Sequence, residues 1–222
     1  MGKSIFVDLT RCHGCRGCQV ACKQWKNTPG EKTVNWGSHQ NPADLTYQTI
    51  RLVRFSEAKV LSRLGDEEPR LEWLFFPEQC RHCYTAPCKT KADEYDKKAI
   101  YHDPETGAVV FTDKMRHLKG DAIREACPYD IPRTGPKGKD SSKCDFCFDR
   151  ISNGLIPSCV LACPTGCMNY GEDYEMIELA KQRLEEVRKE FPKAYLGDVK
   201  NTRVIFLYQT DHRLYYQDPI DG

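Results

Sequence analysis

The chain has 222 residues, 40% hydrophobic and 29% charged, a composition that suits a folded globular protein and excludes a disordered one. Lysine and arginine total 33 against 32 acids, so no basic footprint points to nucleic acid or to an anionic membrane. The exceptional number is 13 cysteines, an odd count bunched at spacings of two and three residues, which does not suit a disulfide framework.

In chain order, Ser4 to Leu9 alternates as a short strand, and the cysteine run from Cys12 to Cys22 passes into a helix ending near Trp25. Residues 27 to 45 are polar and hold Pro29, Gly30, Gly37 and Pro42, which predicts a long loop. Tyr47 to Phe55 and Leu71 to Phe76 read as strands. Ala99 to His102 and Ala108 to Thr112 flank Asp103-Pro104-Glu105-Thr106-Gly107 and read as a hairpin. Pro128 to Lys143 reads as a connection between cysteine-bearing units. Met176, Ala180, Leu184, Val187 and Phe191 then recur at helical spacing, predicting an amphipathic helix of roughly five turns that packs on the chain's own core. Arg203 to Gln209 reads as a closing strand, followed by a polar tail.

The first residues, MGKSIFVDLTRC, show no signal-peptide pattern. The longest stretch without Asp, Glu, Lys or Arg, Ile151 to Gly171, is interrupted by Pro157, Pro164 and three glycines, so no transmembrane segment and a soluble chain are expected.

An internal repeat runs through the cysteines. Phe6-Val7-Asp8 precedes Cys12 as Phe111-Thr112-Asp113 precedes His117, and Ala21-Cys22, Ala126-Cys127 and Ala162-Cys163 share an ending. Cys12, Cys15, Cys18 and Cys22 have the x2, x2, x3 spacing of bacterial ferredoxins, in which three close thiolates hold one cubane and the fourth serves another. The second run, Cys80, Cys83 and Cys88, has Ala92 where its fourth cysteine would stand. Counting back from Cys127 lands on His117, Gly120 and Ile123, so the third run keeps only its last member. The fourth run is Cys144, Cys147, Cys159 and Cys163.

Pairing follows by elimination. If the first and fourth runs are partners, Cys12, Cys15, Cys18 and Cys163 hold cluster 1, and Cys144, Cys147, Cys159 and Cys22 hold cluster 2. Cys80, Cys83, Cys88 and Cys127 then hold cluster 3, and a fourth would have needed positions 92, 117, 120 and 123, none of which is cysteine. The expectation is three 4Fe-4S clusters, with Cys167 left over as a small buried hydrophobe. His13 and His82 fall inside runs already supplied with thiolates and are read as tuning a cluster or facing solvent. Twelve thiolates and three oxidised cores of about +2 each turn the formal +1 into about −5. Such a charge would steer a carrier with a basic docking face.

The fold class expected is α+β, with two duplicated, interleaved ferredoxin-like halves. Residues 1–30 and 141–172 form the first half with two clusters, and 72–140 the second half with one. Residues 31–71 are an insertion, and 173–222 a C-terminal helix, strand and tail. Fully cysteine-ligated cubanes have no open iron position and transfer electrons, and no GxGxxG, P-loop or HExxH motif accompanies them.

CHGCRGCQVACKQW (Cys12 to Trp25), CRHCYTAPC (Cys80 to Cys88), ACPYDIPR (Ala126 to Arg133) and KCDFCFDRISNGLIPSCVLACPTG (Lys143 to Gly166) resemble the ferredoxin-like electron-transfer subunits of molybdenum and tungsten pterin oxidoreductases. Within that family, Val34 to Pro42 is similar to formate dehydrogenase beta subunits. The resemblance implies a non-catalytic subunit beside an alpha subunit that carries the tungsten or molybdenum pterin. Cluster 1 would face that subunit, with electrons passing by cluster 2 to cluster 3. It implies formate and carbon dioxide interconversion by the pair and a periplasmic location, reached by export with the alpha subunit; the alternative is cytoplasmic. The chain lacks the family's most distal cluster and the carboxy-terminal membrane helix of membrane-bound relatives, so a multihaem cytochrome is expected as acceptor. The rival catalysts are a polysulfide, sulfoxide or nitrate reductase, or a hydrogenase. From other classes, a zinc-stabilised interaction module predicts zinc in place of iron, and an independent redox enzyme needs an open iron site.

Overall fold

The computed structural model of the chain describes residues 2–216. Its elements, in chain order, begin with β1 (Lys3–Asp8) and α1 (Gly17–Trp25), followed by the hairpin of β2 (Leu52–Val60) and β3 (Arg70–Glu78). Then come α2 (Pro87–Asp93), the hairpin of β4 (Ile100–His102) and β5 (Val109–Phe111), α3 (Gly120–Glu125), and two-residue β6 (Arg133–Thr134) and β7 (Ser141–Ser142). Single turns α4 (Phe148–Ile151) and α5 (Ser158–Leu161) lead to β8 (Met168–Glu172), α6 (Asp173–Val187), β9 (Tyr195–Gly197) and β10 (Val204–Tyr208). The class is α+β, with small sheets.

The main sheet has the order β8-β1-β10-β9. Strand β1 runs parallel to β10 and antiparallel to β8, with Val7 opposite both Phe206 and Met168. Because both faces of β1 and β10 are covered, they read as nearly continuous apolar runs rather than as alternation. One face, with Phe6, Ile205 and Leu207, packs on Met176, Ala180 and Val187 of α6. The other, with Ile5, Val7, Val204 and Phe206, packs on the cysteine-bearing segments and on Leu74 and Phe76 of β3. Pairing of β1 with β8 carries Cys167 to the end of β1, where its carbonyl accepts from the Asp8 N–H at 2.8 Å.

The Ile100–Phe111 hairpin forms as the turn chemistry predicts, since the Asp103 carboxylate accepts from the Thr106 N–H at 2.7 Å and closes the connection. Helix α6 packs on the chain's own core as its spacing predicts. It ends at Val187, and Phe191 reaches the same core from the following turn. Strand β2 starts at Leu52, five residues later than the Tyr47 expected, because the Thr46 hydroxyl accepts from the Thr49 N–H at 2.8 Å and holds 46–49 in a turn. The stretch after Gln209 is not simply a polar tail. His212–Tyr215 forms a 3-10 turn and Tyr215 is buried, its hydroxyl accepting from the Gln209 N–H at 3.4 Å; residues 217–222 lie outside those described. Among the described residues no helix is long and apolar enough to cross a membrane.

Candidate metal centres

Three C-x-x-C hooks share one backbone device. The residue before the second cysteine has a left-handed φ in each, +62° at Gly14, +49° at His82 and +66° at Phe146. That conformation turns its N–H onto the sulfur of the hook's first cysteine, His82 to Cys80 at 3.5 Å and Phe146 to Cys144 at 3.4 Å. The Gly14 N–H does the same for Cys12. Non-glycine residues are held there against their preference, which is strain stored at a site and offset by its packing. At Gly14 a side chain is also excluded sterically, because a Cβ would meet the Phe75 ring at 2.8 Å. The Cys-Pro endings match as well: Asp130, three after Cys127, and Gly166, three after Cys163, have φ of +48° and +63°.

The structure brings the cysteines together in three groups. Cys80, Cys83, Cys88 and Cys127 line a single cavity with Pro132 and Lys143. Cys22, from the end of α1, meets Cys147 and Cys159, and Cys144 faces Cys22 and Cys147. Burial pushes the Cys22 thiol up to about 12, with Cys159 and Cys147 adding to it, and takes Cys159 to about 11. Cys12 faces Cys163, and Cys18 faces Cys12 and Cys15. Successive groups lie within electrostatic reach of each other, Cys18 with Cys159 and Cys144 with Cys80, so they form a row.

Cys167 is buried, as expected of a small hydrophobe, but it is not a bystander. Its thiol lies within hydrogen-bonding reach of Cys12 and Cys163, with one proton to share between them, and this holds both below the usual thiol range, Cys163 at about 4. His13 is exposed, whereas His82 is fully buried. The His82 Nδ1 accepts from the Val109 N–H at 3.1 Å, which leaves the proton on Nε2.

Where the repeat would have set a fourth centre, apolar packing occupies the space. Ala92 and Ile123 are fully buried in one core with Ala86, Ile100, Met115 and Leu118. A Cβ on Gly120 would meet the Asp140 carbonyl oxygen at 2.6 Å, and His117 points outward as an exposed residue.

Two buried cations escaped the sequence reading. Arg51 is fully buried, with its guanidinium against Gln79, the Met168 sulfur at 2.6 Å, and Cys18. Lys143 is buried beside the cavity of Cys80 and Cys88, and its ammonium donates to the carbonyls of Val109 and, at 2.9 Å, Cys144. A basic residue inside a strand candidate and a lysine abutting a cysteine were the available signals.

The donor chemistry fits iron-sulfur clusters. Each group offers four sulfurs, and the buried Arg51 Nε and His82 Nε2 have no hydrogen-bond partner among the described residues.

Residues 71–173 match the 4Fe-4S dicluster domain family. Over 218 residues the chain is 48% identical to formate dehydrogenase subunit beta of Megalodesulfovibrio gigas, covering 98% of both. The chain belongs to the formate dehydrogenase beta-subunit family. It is 46% identical to formate dehydrogenase 2 subunit beta (cytochrome c-553) of Nitratidesulfovibrio vulgaris, again over 98% of both chains. With the iron-sulfur subunit of the nitrate-inducible formate dehydrogenase of Escherichia coli it shares 34% over 82% of its own length and 58% of that longer chain. Beta subunits of this family are the electron-transfer, non-catalytic members of an oxidoreductase complex, and this chain is one of them.

Proposed function

We propose that this beta subunit relays electrons through three 4Fe-4S clusters between a pterin-bearing formate dehydrogenase catalytic subunit and a cytochrome. The observation that carries the reading is the row of three four-cysteine groups whose neighbours lie within electrostatic reach, Cys18 of Cys159 and Cys144 of Cys80. Bound at such a group, a 4Fe-4S cluster supplies one-electron transfer with no open iron position. The chain's part is to fix the sulfurs, exclude water and set the local charge.

On this reading the groups are Cys12, Cys15, Cys18 and Cys163; Cys144, Cys147, Cys159 and Cys22; and Cys80, Cys83, Cys88 and Cys127. The two halves are interleaved ferredoxin-like duplicates, a proposal supported by the shared left-handed hooks at Gly14, His82 and Phe146. The apolar packing of Ala92 and Ile123 supports three clusters rather than four. The catalytic subunit docks over Cys15, the one exposed cysteine, beside the 34–42 segment, to which Arg16 ties the hook through the His39 carbonyl at 3.1 Å. The partner's tungsten or molybdenum pterin carries out formate and carbon dioxide interconversion in a periplasmic heterodimer. A cytochrome acceptor is supported by the name of the Nitratidesulfovibrio relative.

Elemental analysis of the natively purified complex tests this. About twelve irons attributable to this chain, beside a tungsten- or molybdenum-bearing partner, are expected. About sixteen would mean a rescued fourth centre, and zinc without iron would end the relay reading. Fractionation that left the intact pair in the cytoplasm would overturn the location, and reduction with another substrate but not formate would overturn the catalyst.

A further inference from the structure

Each junction between neighbouring cysteine groups holds one buried cation. Arg51, 2% exposed, faces Cys18 of the first group and Cys159 and Cys144 of the second. Lys143, 6% exposed, faces Cys144 of the second and Cys80 and Cys88 of the third. Among the described residues neither is ion-paired with a carboxylate. The protein atoms that Arg51 contacts outside the cysteines are the neutral Gln79 carbonyl oxygen and the Met168 thioether. Lys143 is bonded to two backbone carbonyls, and Asp145, the acid within its electrostatic reach, is engaged by Lys26 at 2.7 Å.

An unpaired buried charge is among the most costly things a protein can hold, so something must offset these two. The placement supplies that offset: Arg51 is buried against Cys18, with its guanidinium bonded to the Met168 sulfur, and the Lys143 ammonium is bonded to the Cys144 carbonyl beside the cavity of Cys80 and Cys88, so both cations face the sulfurs that would hold the negative clusters. A cysteine-ligated cluster carries net negative charge and gains more on reduction, so a fixed cation beside it favours the reduced form. Chain topology makes the placement specific: Arg51 sits where β2 enters, and Lys143 where the fourth run begins, each between two groups.

We propose that Arg51 and Lys143 are positioning residues that raise the reduction potentials of the centres flanking them, Arg51 those of the first and second groups and Lys143 those of the second and third. The inference rests on the three-centre relay above. The second group lies against both cations and is the one that responds to either.

The test uses the purified alpha-beta complex, with iron and sulfide counted per chain and each centre's midpoint potential read by EPR-monitored redox titration. Arg51→Met is expected to make reduction of the first and second centres at least tenfold less favourable at a given potential, a shift of 59 mV for one electron, leaving the third unmoved. Lys143→Met is expected to shift the second and third by as much and spare the first. Arg51→Lys and Lys143→Arg keep the charge and are expected to stay near the unaltered protein. Iron-replete Met variants with unmoved potentials would overturn the inference, as would conservative variants that shift as far as the Met ones, since that outcome marks a packing role. Should Arg51→Met fail to retain iron, Lys143→Met, which keeps the length of the side chain and loses its ammonium, decides by the same criterion. Failure of the relay itself is seen separately: the unaltered complex would then lack three distinct cluster signals.

Discussion

The His82 imidazole stacks on the Phe146 ring, with centroids 4.4 Å apart and planes inclined at 28°. Each residue is the left-handed position before the second cysteine of its own hook, so the contact ties the Cys80–Cys83 hook to the Cys144–Cys147 hook across the row. The pair sets the spacing of two groups through an aromatic contact, and Phe146 also meets Tyr170 edge-on, with centroids 5.9 Å apart.

Truncating this contact should loosen both hooks. Phe146→Ala removes a fully buried ring and is expected to cost about 3–5 kcal/mol. His82→Ala also strands the Val109 N–H, which adds about 1–3 kcal/mol. Denaturant unfolding followed by iron release checks both. Loss of iron from the second and third groups before the first is the expected order.

Cys163→Ala should damage the centre held by Cys12, Cys15 and Cys18, and leave the Cys144, Cys147 and Cys159 centre intact, despite its place in the fourth run. Site-resolved Mössbauer or EPR spectra distinguish the two. Damage confined to the fourth-run centre would falsify the crossed pairing.

Cys167→Ala should leave the iron count unchanged, because the first group already has four sulfurs. It should lower that centre's potential, since the lost thiol had one proton to share between Cys12 and Cys163 and hydrogen bonds to ligand sulfur favour the reduced cluster. A redox titration that separates the first centre's signal reads the shift, and Cys167→Ser, which keeps a donor, should return most of it.

Cysteines restored together at positions 92, 117, 120 and 123 should not rebuild a fourth centre. The Gly120 position has backbone oxygen 2.6 Å from any Cβ, and Ala92 and Ile123 form part of a dry core. Iron should remain at about twelve per chain with reduced thermal stability. A gain to sixteen would show that the packing yields.

Asp44 links the long loop to β2 and β6 through Arg54 and Arg133, each at 2.6 Å. Burial raises its carboxyl, but the two guanidiniums prevail and hold it below the ordinary value of 3.8. A depressed carboxylate contributes stability above its unfolded value, and that contribution disappears as pH falls through the folded one. Asp44→Asn should therefore cost on the order of 1 kcal/mol at neutral pH, a figure kept small because the side chain is partly solvated. In acid-unfolding curves the difference from the unaltered protein should shrink as pH falls below the ordinary carboxyl value of 3.8 and through the lower folded one.

The sequence by itself determined the cysteine hooks, the Asp103-centred hairpin, the face of α6 and membership of the family. All of these are encoded within short spans, where spacing translates directly into local geometry and a period of 3.6 or a turn motif has one natural outcome. What joins distant parts of the chain was decided only in three dimensions. Arg51 and Lys143 are an unremarkable strand residue and a lysine before a cysteine until the fold removes water from around them. Cys167 is a spare thiol until pairing of β1 with β8 sets it against Cys12. His82 and Phe146 are unassigned x positions of C-x-x-C hooks until the two hooks meet. The reason is that burial and charge compensation depend on which segments the sheet register and core packing bring together, and those contacts span more than a hundred residues, as between Arg51 and Met168.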